Sequence, residues 1–191
     1  DILNPLAGSP AGTAVTVFDC VADGRSAVRA VRARAREFGV DPARIVVNGA
    51  SAGGHVAVAT ALFRQFDSPG EDPAVPAEPD ALVLFYPVID TSPEGYGQAK
   101  IGARWRELSP AHQVRPGMPP TLTFHGTGDL TTPFKGAERF HAAMRQAGNR
   151  SELEAHEGGV HGYFLHEQVL FEATLARMEH FLRSLGLHDA R

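Results

Sequence analysis

An α/β fold, built on a mostly parallel sheet with helices on both faces, is predicted for this chain by three observations. Short β-branched runs alternate with longer segments of helical period along the chain. The run "ALVLFYPV", residues 81–88, is apolar almost throughout, as a strand covered on both faces must be. Proline- and glycine-rich stretches punctuate the intervals, and no internal repeat or second domain is visible, so one domain over residues 1–191 is expected.

The elements follow in order. Residues 1–17, "DILNPLAGSPAGTAVTV", read as an irregular N-terminal segment. A helix from about Phe18 to Phe38 puts Val21, Val28, Val31, Ala35 and Phe38 on one face and stops at Gly39. Arg25, Arg29, Arg32 and Arg36 form a stripe on another face, read here as solvated surface. The strand Ile45–Asn48 leads through a glycine turn into a helix from about Gly53 to Phe66, and "DSPGEDPAVPAEPD" is then a surface loop. After the strand at 81–88, residues 91–119 are expected to form a cap-like or pocket-lining insertion with one short helix. A third strand covers "TLTFHG", 121–126, and a helix runs from Phe134 to Ala147. The fourth strand, "SELEAHE" at 151–157, is more polar and therefore nearer an edge, and a helix over 169–185 closes the pattern.

Composition bounds the function. The chain has 191 residues, 43% hydrophobic and 21% charged, which describes an ordinary globular protein able to bury a proper core. A net charge of −4 gives no reason to expect nucleic acid or an anionic membrane as partner. No apolar run approaches the ~18 residues of a membrane span. The single cysteine, Cys20, rules out an intrachain disulfide and leaves the compartment open.

Chemistry is expected beyond the carboxyl ends of parallel strands, so the residues after each strand matter most. The first strand ends in Gly49-Ala50-Ser51-Ala52-Gly53. A tight strand-to-helix turn crowds the positions two before and two after its tip, which favours glycine there and lifts the serine hydroxyl clear of the sheet. After the third strand "HGTGDL" places Asp129, and after the fourth "GGVHGYF" places His161. A serine hydroxyl becomes a useful nucleophile when an imidazole takes its proton and a carboxylate orients that imidazole. Three strand-end loops deliver those groups in the chain order Ser, Asp, His, the order expected on such a sheet.

On "GASAGGH", "PPTLTFHGTGD" and "GVHGYF" the chain resembles the α/β-hydrolase superfamily, and within it esterases of the hormone-sensitive-lipase and acetyl- or feruloyl-esterase-like groups. The likeness extends from about Phe18 to Gly186. It implies a carboxylic ester hydrolase working through an acyl-enzyme, with no cofactor. Ser51 would be the nucleophile, His161 the general base and then acid, Asp129 the orienting carboxylate, and the Ala52 N–H an oxyanion donor. Asp90, after "FYPVI", is the competing acid. Tyr96, Trp105, Tyr163 and Phe164 are candidates for the acyl or alcohol pocket, with the hydrophobic core as their alternative. His125, at the end of its strand, reads as a hydrogen-bonded structural residue, and His55, in the first turn of the helix after Ser51, is open between a structural and a functional role. The five-residue spacing of His156, His161 and His166 matches no familiar zinc pattern, and no metal is expected.

The family normally carries further strands ahead of the helix near Phe18, one followed by a "HGGG"-like oxyanion loop. This sequence has no such motif, which implies either the C-terminal portion of a longer hydrolase or a reduced version of one. "PLAGSPAG" is a candidate stand-in for that loop. Two rival functions stand beside esterase: a serine peptidase of the prolyl-oligopeptidase type, and a non-catalytic binding or assembly module. The run "IVV" carries no charge, proline or bulge to protect an open edge, and "AVTV" at 14–17 is long enough to cover it only in part. A two-fold homodimer burying this edge, or the helix surface beside it, is therefore expected.

Overall fold

The computed structural model describes residues 15–188. The N-terminal segment up to residue 14, "PLAGSPAG" included, lies outside that range. The described chain contains four strands, β1 (Val46–Ala50), β2 (Ala81–Phe85), β3 (Thr121–Gly126) and β4 (Ser151–His156). They form one sheet in the order β1-β2-β3-β4, parallel throughout, with Val46 opposite Ala81, Leu82 opposite Thr121, and Thr121 opposite Ser151. The α-helices are α1 (Val17–Ala33), α2 (Ala35–Phe38), α3 (Ser51–Leu62), α4 (Gln98–Ile101), α5 (Phe134–Gln146) and α6 (Gln168–Ser184).

Alternation along the strands sorts the core into two halves. Leu82 and Leu84 of β2 face Val21 of α1, Val58 of α3 and Phe140 and Met144 of α5. Ala81 and Val83, with Leu122 and Phe124 of β3, face Phe181 on the opposite side, joined by Met178 and Leu182 of α6. Helices therefore cover both faces, as the sequence predicts. Phe140 and Phe181 are fully buried, and each contributes on the order of 2 kcal/mol by leaving water. The sheet also orders its strands by burial. β2 and β3 are buried almost throughout, whereas β1 alternates half-buried and exposed positions, as expected of an edge.

The start of α1 differs from the sequence reading. Thr16 caps it: its Oγ1 accepts from the Asp19 N–H at 3.3 Å, and the Asp19 carboxylate accepts from the Thr16 N–H at 2.7 Å. Thr16 and Val17 thus belong to a cap and a first helical turn, and add no strand to the β1 edge.

The arginine stripe is a correction at Arg25, Arg29 and Arg32, while Arg36 is exposed as expected. Arg25 is fully buried and Arg29 nearly so. Arg25 and Arg29 both pair with Asp67, Arg29 also with Glu71, and Arg32 with Asp80 at 3.4 Å. Arg32 further donates to the carbonyls of Pro42, Pro76 and Glu78. The acidic loop is therefore strapped onto α1. Burial alone would raise the Asp67 carboxyl, but hydrogen bonds from Arg29 and Arg25 outweigh it and bring it down to about 2. Asp80 passes the order on, accepting the Ile45 N–H at 2.8 Å where the chain enters β1.

Candidate active site

Ser51 stands at the tip of the turn from β1 into α3 with φ 53°, a left-handed backbone that a residue with a side chain adopts only under constraint. The constraint is close packing. A Cβ on Gly49 would lie 2.3 Å from the Gly53 carbonyl oxygen, and one on Gly54 would lie 2.7 Å from Pro87. Gly53 itself faces open space, so on the far side of the tip the crowded position is Gly54, one residue later than the sequence argument expects. The Ser51 carbonyl accepts from the Val88 N–H at 2.9 Å, which ties the turn to the end of β2.

The imidazole arrives from the loop after β4. That loop lies against the end of β3 and the loop after it: a Cβ on Gly126 would meet the Gly159 carbonyl oxygen at 2.0 Å, and one on Gly128 the Gly158 carbonyl oxygen at 2.9 Å. Glycine in both loops permits this approach and brings His161 beside Asp129. His161 Nε2 is 3.0 Å from Ser51 Oγ, and His161 Nδ1 is 2.7 Å from Asp129 Oδ2. The short carboxylate contact assigns the proton to Nδ1, which leaves Nε2 to accept from the serine hydroxyl. His161 is half-buried and Asp129 is buried. Burial would raise the Asp129 carboxyl, but hydrogen bonds from His161, Thr132 and Thr131 hold it below its ordinary value.

Asp90 is placed elsewhere. It is buried, it receives Arg139 Nη1 at 2.6 Å, and its Oδ1 accepts the Ser92 N–H at 2.9 Å. It anchors the loop carrying Tyr96, whose N–H reaches the Asp90 carbonyl at 2.9 Å.

Ala52 lies in the first turn of α3, where backbone N–H groups have no helical partner. It borders two spaces. One is a narrow pocket of about 10 Å³ walled by Val17, His55, Val88, Thr91, Tyr96 and Ile101. The other is an open apolar groove flanking β1, walled by Val28 of α1, Val47 and Val56. Of the four aromatic candidates, Tyr96 lines the narrow pocket. Trp105 sets its ring edge-on to His112 and its carbonyl accepts from Thr91 Oγ1. Phe164 is buried against Phe85 and Tyr86. Tyr163 stacks on His156 at 4.5 Å, and burial, with Glu154 and Tyr86 adding to it, pushes its hydroxyl up to about 12.

Two other histidines hold backbone. His55 Nε2 donates to the Leu108 carbonyl at 2.7 Å and His125 Nε2 to the Thr132 carbonyl at 2.8 Å, and burial lowers both rings toward the neutral form. His166 is exposed.

Two residues that sequence reasoning passes over stand next to His161. The Tyr86 ring is edge-on to the imidazole at 4.7 Å, from a backbone with φ 36°. The Thr132 hydroxyl is 2.9 Å from Asp129 Oδ2. Left-handed φ at a tyrosine has no sequence signature. The threonine three residues after Asp129 in "DLTTP" is a signal available in the sequence.

A serine on a strained strand-to-helix turn, met by an imidazole and a carboxylate from later strand-end loops, is the arrangement that the resemblance to α/β hydrolases implies. Family models agree: one described as the alpha/beta hydrolase fold matches residues 16–111, and one for the prolyl oligopeptidase family matches residues 80–188. The chain belongs to the α/β-hydrolase family.

Its relatives include esterase 2 of Thermogutta terrifontis. The structure of that protein phosphoramylated by tabun is 40% identical, with a TM-score of 0.85, covering 92% of this chain and 67% of that one. The propionate-bound form is 39% identical, with a TM-score of 0.84, covering 92% and 68%. An acetylxylan esterase of Xylanibacter ruminicola is 26% identical over 159 residues, covering 75% of this chain and 31% of that protein. The chain spans about a third of the length of the curated relatives it matches.

Proposed function

We propose that this chain hydrolyses carboxylic esters, with Ser51 as nucleophile, His161 as general base and then acid, and Asp129 as the carboxylate that orients it. The observation that carries the reading is the continuous hydrogen-bond path from Ser51 Oγ through His161 to Asp129 Oδ2, at 3.0 and 2.7 Å. Ser51 Oγ attacks the acyl carbon as Nε2 takes its proton. The Ala52 N–H and the positive end of α3 stabilise the oxyanion. Collapse expels the alcohol, protonated by His161, and leaves an acyl group on Ser51. Water deprotonated by the same imidazole then attacks that acyl carbon, and the acid departs.

On the reading that the narrow pocket beside Ala52 takes the acyl group, short chains such as acetyl are favoured. The relatives named above, an acetylxylan esterase and an esterase with propionate bound, agree with that preference. The prolyl oligopeptidase model over residues 80–188 keeps peptide substrates as the rival reading. We further propose that a second copy of the chain covers the β1 edge. The alternating exposure of β1 and the apolar groove beside it support this placement.

The purified protein should hydrolyse p-nitrophenyl acetate faster than the longer acyl esters. An organophosphonate should add once, to Ser51, and Ser51→Ala should abolish both reactions. Cleavage of peptide but not ester substrates would transfer the assignment to the peptidase reading. An inert, unlabelled but folded protein would leave the non-catalytic one.

A further inference from the structure

We infer that Thr132 is a positioning residue of this site: its hydroxyl holds Asp129 Oδ2 in place for His161, while its carbonyl keeps a second imidazole, His125, occupied. The inference rests on the serine-hydrolase reading above. It begins from how the two carboxylate oxygens are used. Oδ1 accepts the backbone N–H groups of Thr131 and Thr132 at 2.8 and 2.9 Å. Oδ2 accepts His161 Nδ1–H at 2.7 Å and Thr132 Oγ1–H at 2.9 Å. His125 Nε2 lies 3.5 Å from that same Oδ2 and is fully buried.

Asp129 therefore sits between two imidazoles, and Thr132 decides which one it serves. The Thr132 carbonyl takes the His125 Nε2–H at 2.8 Å. With that proton on Nε2, His125 Nδ1 carries a lone pair, and among the described residues this buried atom has no partner. The ring thus stays neutral and offers Asp129 nothing. The Thr132 hydroxyl lies 3.3 Å from His161 Nδ1 and 3.5 Å from His125 Nε2, between the two rings. One buried residue thus occupies the His125 proton through its carbonyl, Oδ1 through its N–H and Oδ2 through its hydroxyl.

The hydroxyl has a second acceptor, the Tyr86 carbonyl at 3.3 Å, on the residue whose ring meets the His161 imidazole edge-on. Its single proton therefore has two positions. Donated to Oδ2, it drains charge from the carboxylate; donated to Tyr86, it leaves the whole charge facing His161. The titratable groups facing this hydroxyl are Asp129 from the β3–α5 loop, His125 from β3, His161 from the β4–α6 loop and Tyr86 from the end of β2. Removing the hydroxyl takes one of two side-chain donors from Oδ2. The carboxylate then holds a protonated imidazole more strongly.

The test compares Thr132→Val, which keeps shape and loses the hydroxyl, with Thr132→Ser, which keeps it. Thr132→Ala serves as a second hydroxyl-free variant should the valine protein fail to fold. The downfield ¹H resonance of the His161 Nδ1–H···Asp129 bond needs no substrate, and it should move in the valine or alanine protein and return in the serine one. With p-nitrophenyl acetate, the hydroxyl-free protein should show kcat reduced about three- to thirty-fold with KM nearly unchanged. The acidic limb of its kcat/KM profile should move to higher pH by several tenths of a unit, and serine should restore both. An unmoved resonance, or a loss of activity that follows melting temperature with the limb unshifted and no rescue by serine, overturns the inference. A wild-type protein inert toward esters would remove the functional reading, while the resonance still decides the role of Thr132.

Discussion

Replacing Asp129 by asparagine changes one atom, and the structure dictates where that atom goes. Oδ1 of Asp129 accepts two backbone N–H groups, from Thr131 and Thr132, so an amide NH₂ placed there would face two donors. The amide oxygen must therefore keep that position, and the NH₂ is forced onto the Oδ2 side, 2.7 Å from His161 Nδ1. An N–H pointed at Nδ1 requires Nδ1 to accept, which moves the ring proton to Nε2. Nε2 faces Ser51 Oγ at 3.0 Å, so the base loses the lone pair it needs. The Thr132 hydroxyl retains a place for its proton on the Tyr86 carbonyl at 3.3 Å, so the fold should survive. The wrong tautomer costs about 10⁴ in kcat in comparable triads, or roughly 5 kcal/mol of barrier. The assay is steady-state hydrolysis of p-nitrophenyl acetate, with circular dichroism and melting temperature confirming an intact fold. A folded Asp129→Asn protein within tenfold of wild-type kcat would refute the tautomer argument and open the carboxylate role to Asp90.

Two other outcomes follow from the ion-pair strap and the sheet edge. Against burial, the Arg29 and Arg25 hydrogen bonds hold Asp67 near 2 in the folded chain against an ordinary 3.8, so the stability its charged form contributes is present above pH 4 and lost as pH falls through 2. In urea titrations the stability gap between wild type and Asp67→Asn should narrow over that window, and a gap constant from pH 5 to pH 2 would contradict it. For the proposed association, light scattering should report a dimer whose turnover per chain falls on dilution; a 20.4 kDa monomer with concentration-independent turnover would exclude it.

Much of the fold was legible because its signals are local. The "TLTFHG" strand coincides with β3, and the polar "SELEAHE" run is indeed the strand at the end of the sheet. The arginine stripe was misread because its explanation is non-local. Arg25 and Arg29 meet Asp67 about forty residues along the chain, and the period of one helix contains no trace of that pairing. The strand read over "ALVLFYPV" stops at Phe85, since Tyr86 turns to φ 36° before Pro87. A hydrophobic run marks burial, and burial continues past the end of the ladder: Tyr86, Val88 and Ile89 are all buried outside any strand.

The candidate site's geometry was legible for a different reason. A parallel sheet delivers its strand ends to one rim, so residues far apart in sequence become neighbours whenever each follows a strand. Ser51, Asp129 and His161 meet that condition, and so does Asp90. What separates Asp129 from Asp90 is what else reaches each carboxylate. Arg139 claims Asp90, whereas Asp129 sits where the Gly126–Gly159 contact brings the β4–α6 loop within hydrogen-bond range. Thr132 and Tyr86 escaped notice because neither residue type signals chemistry by itself. Their significance comes from the atoms they offer, a hydroxyl proton and a strained carbonyl, at distances that only the folded rim sets.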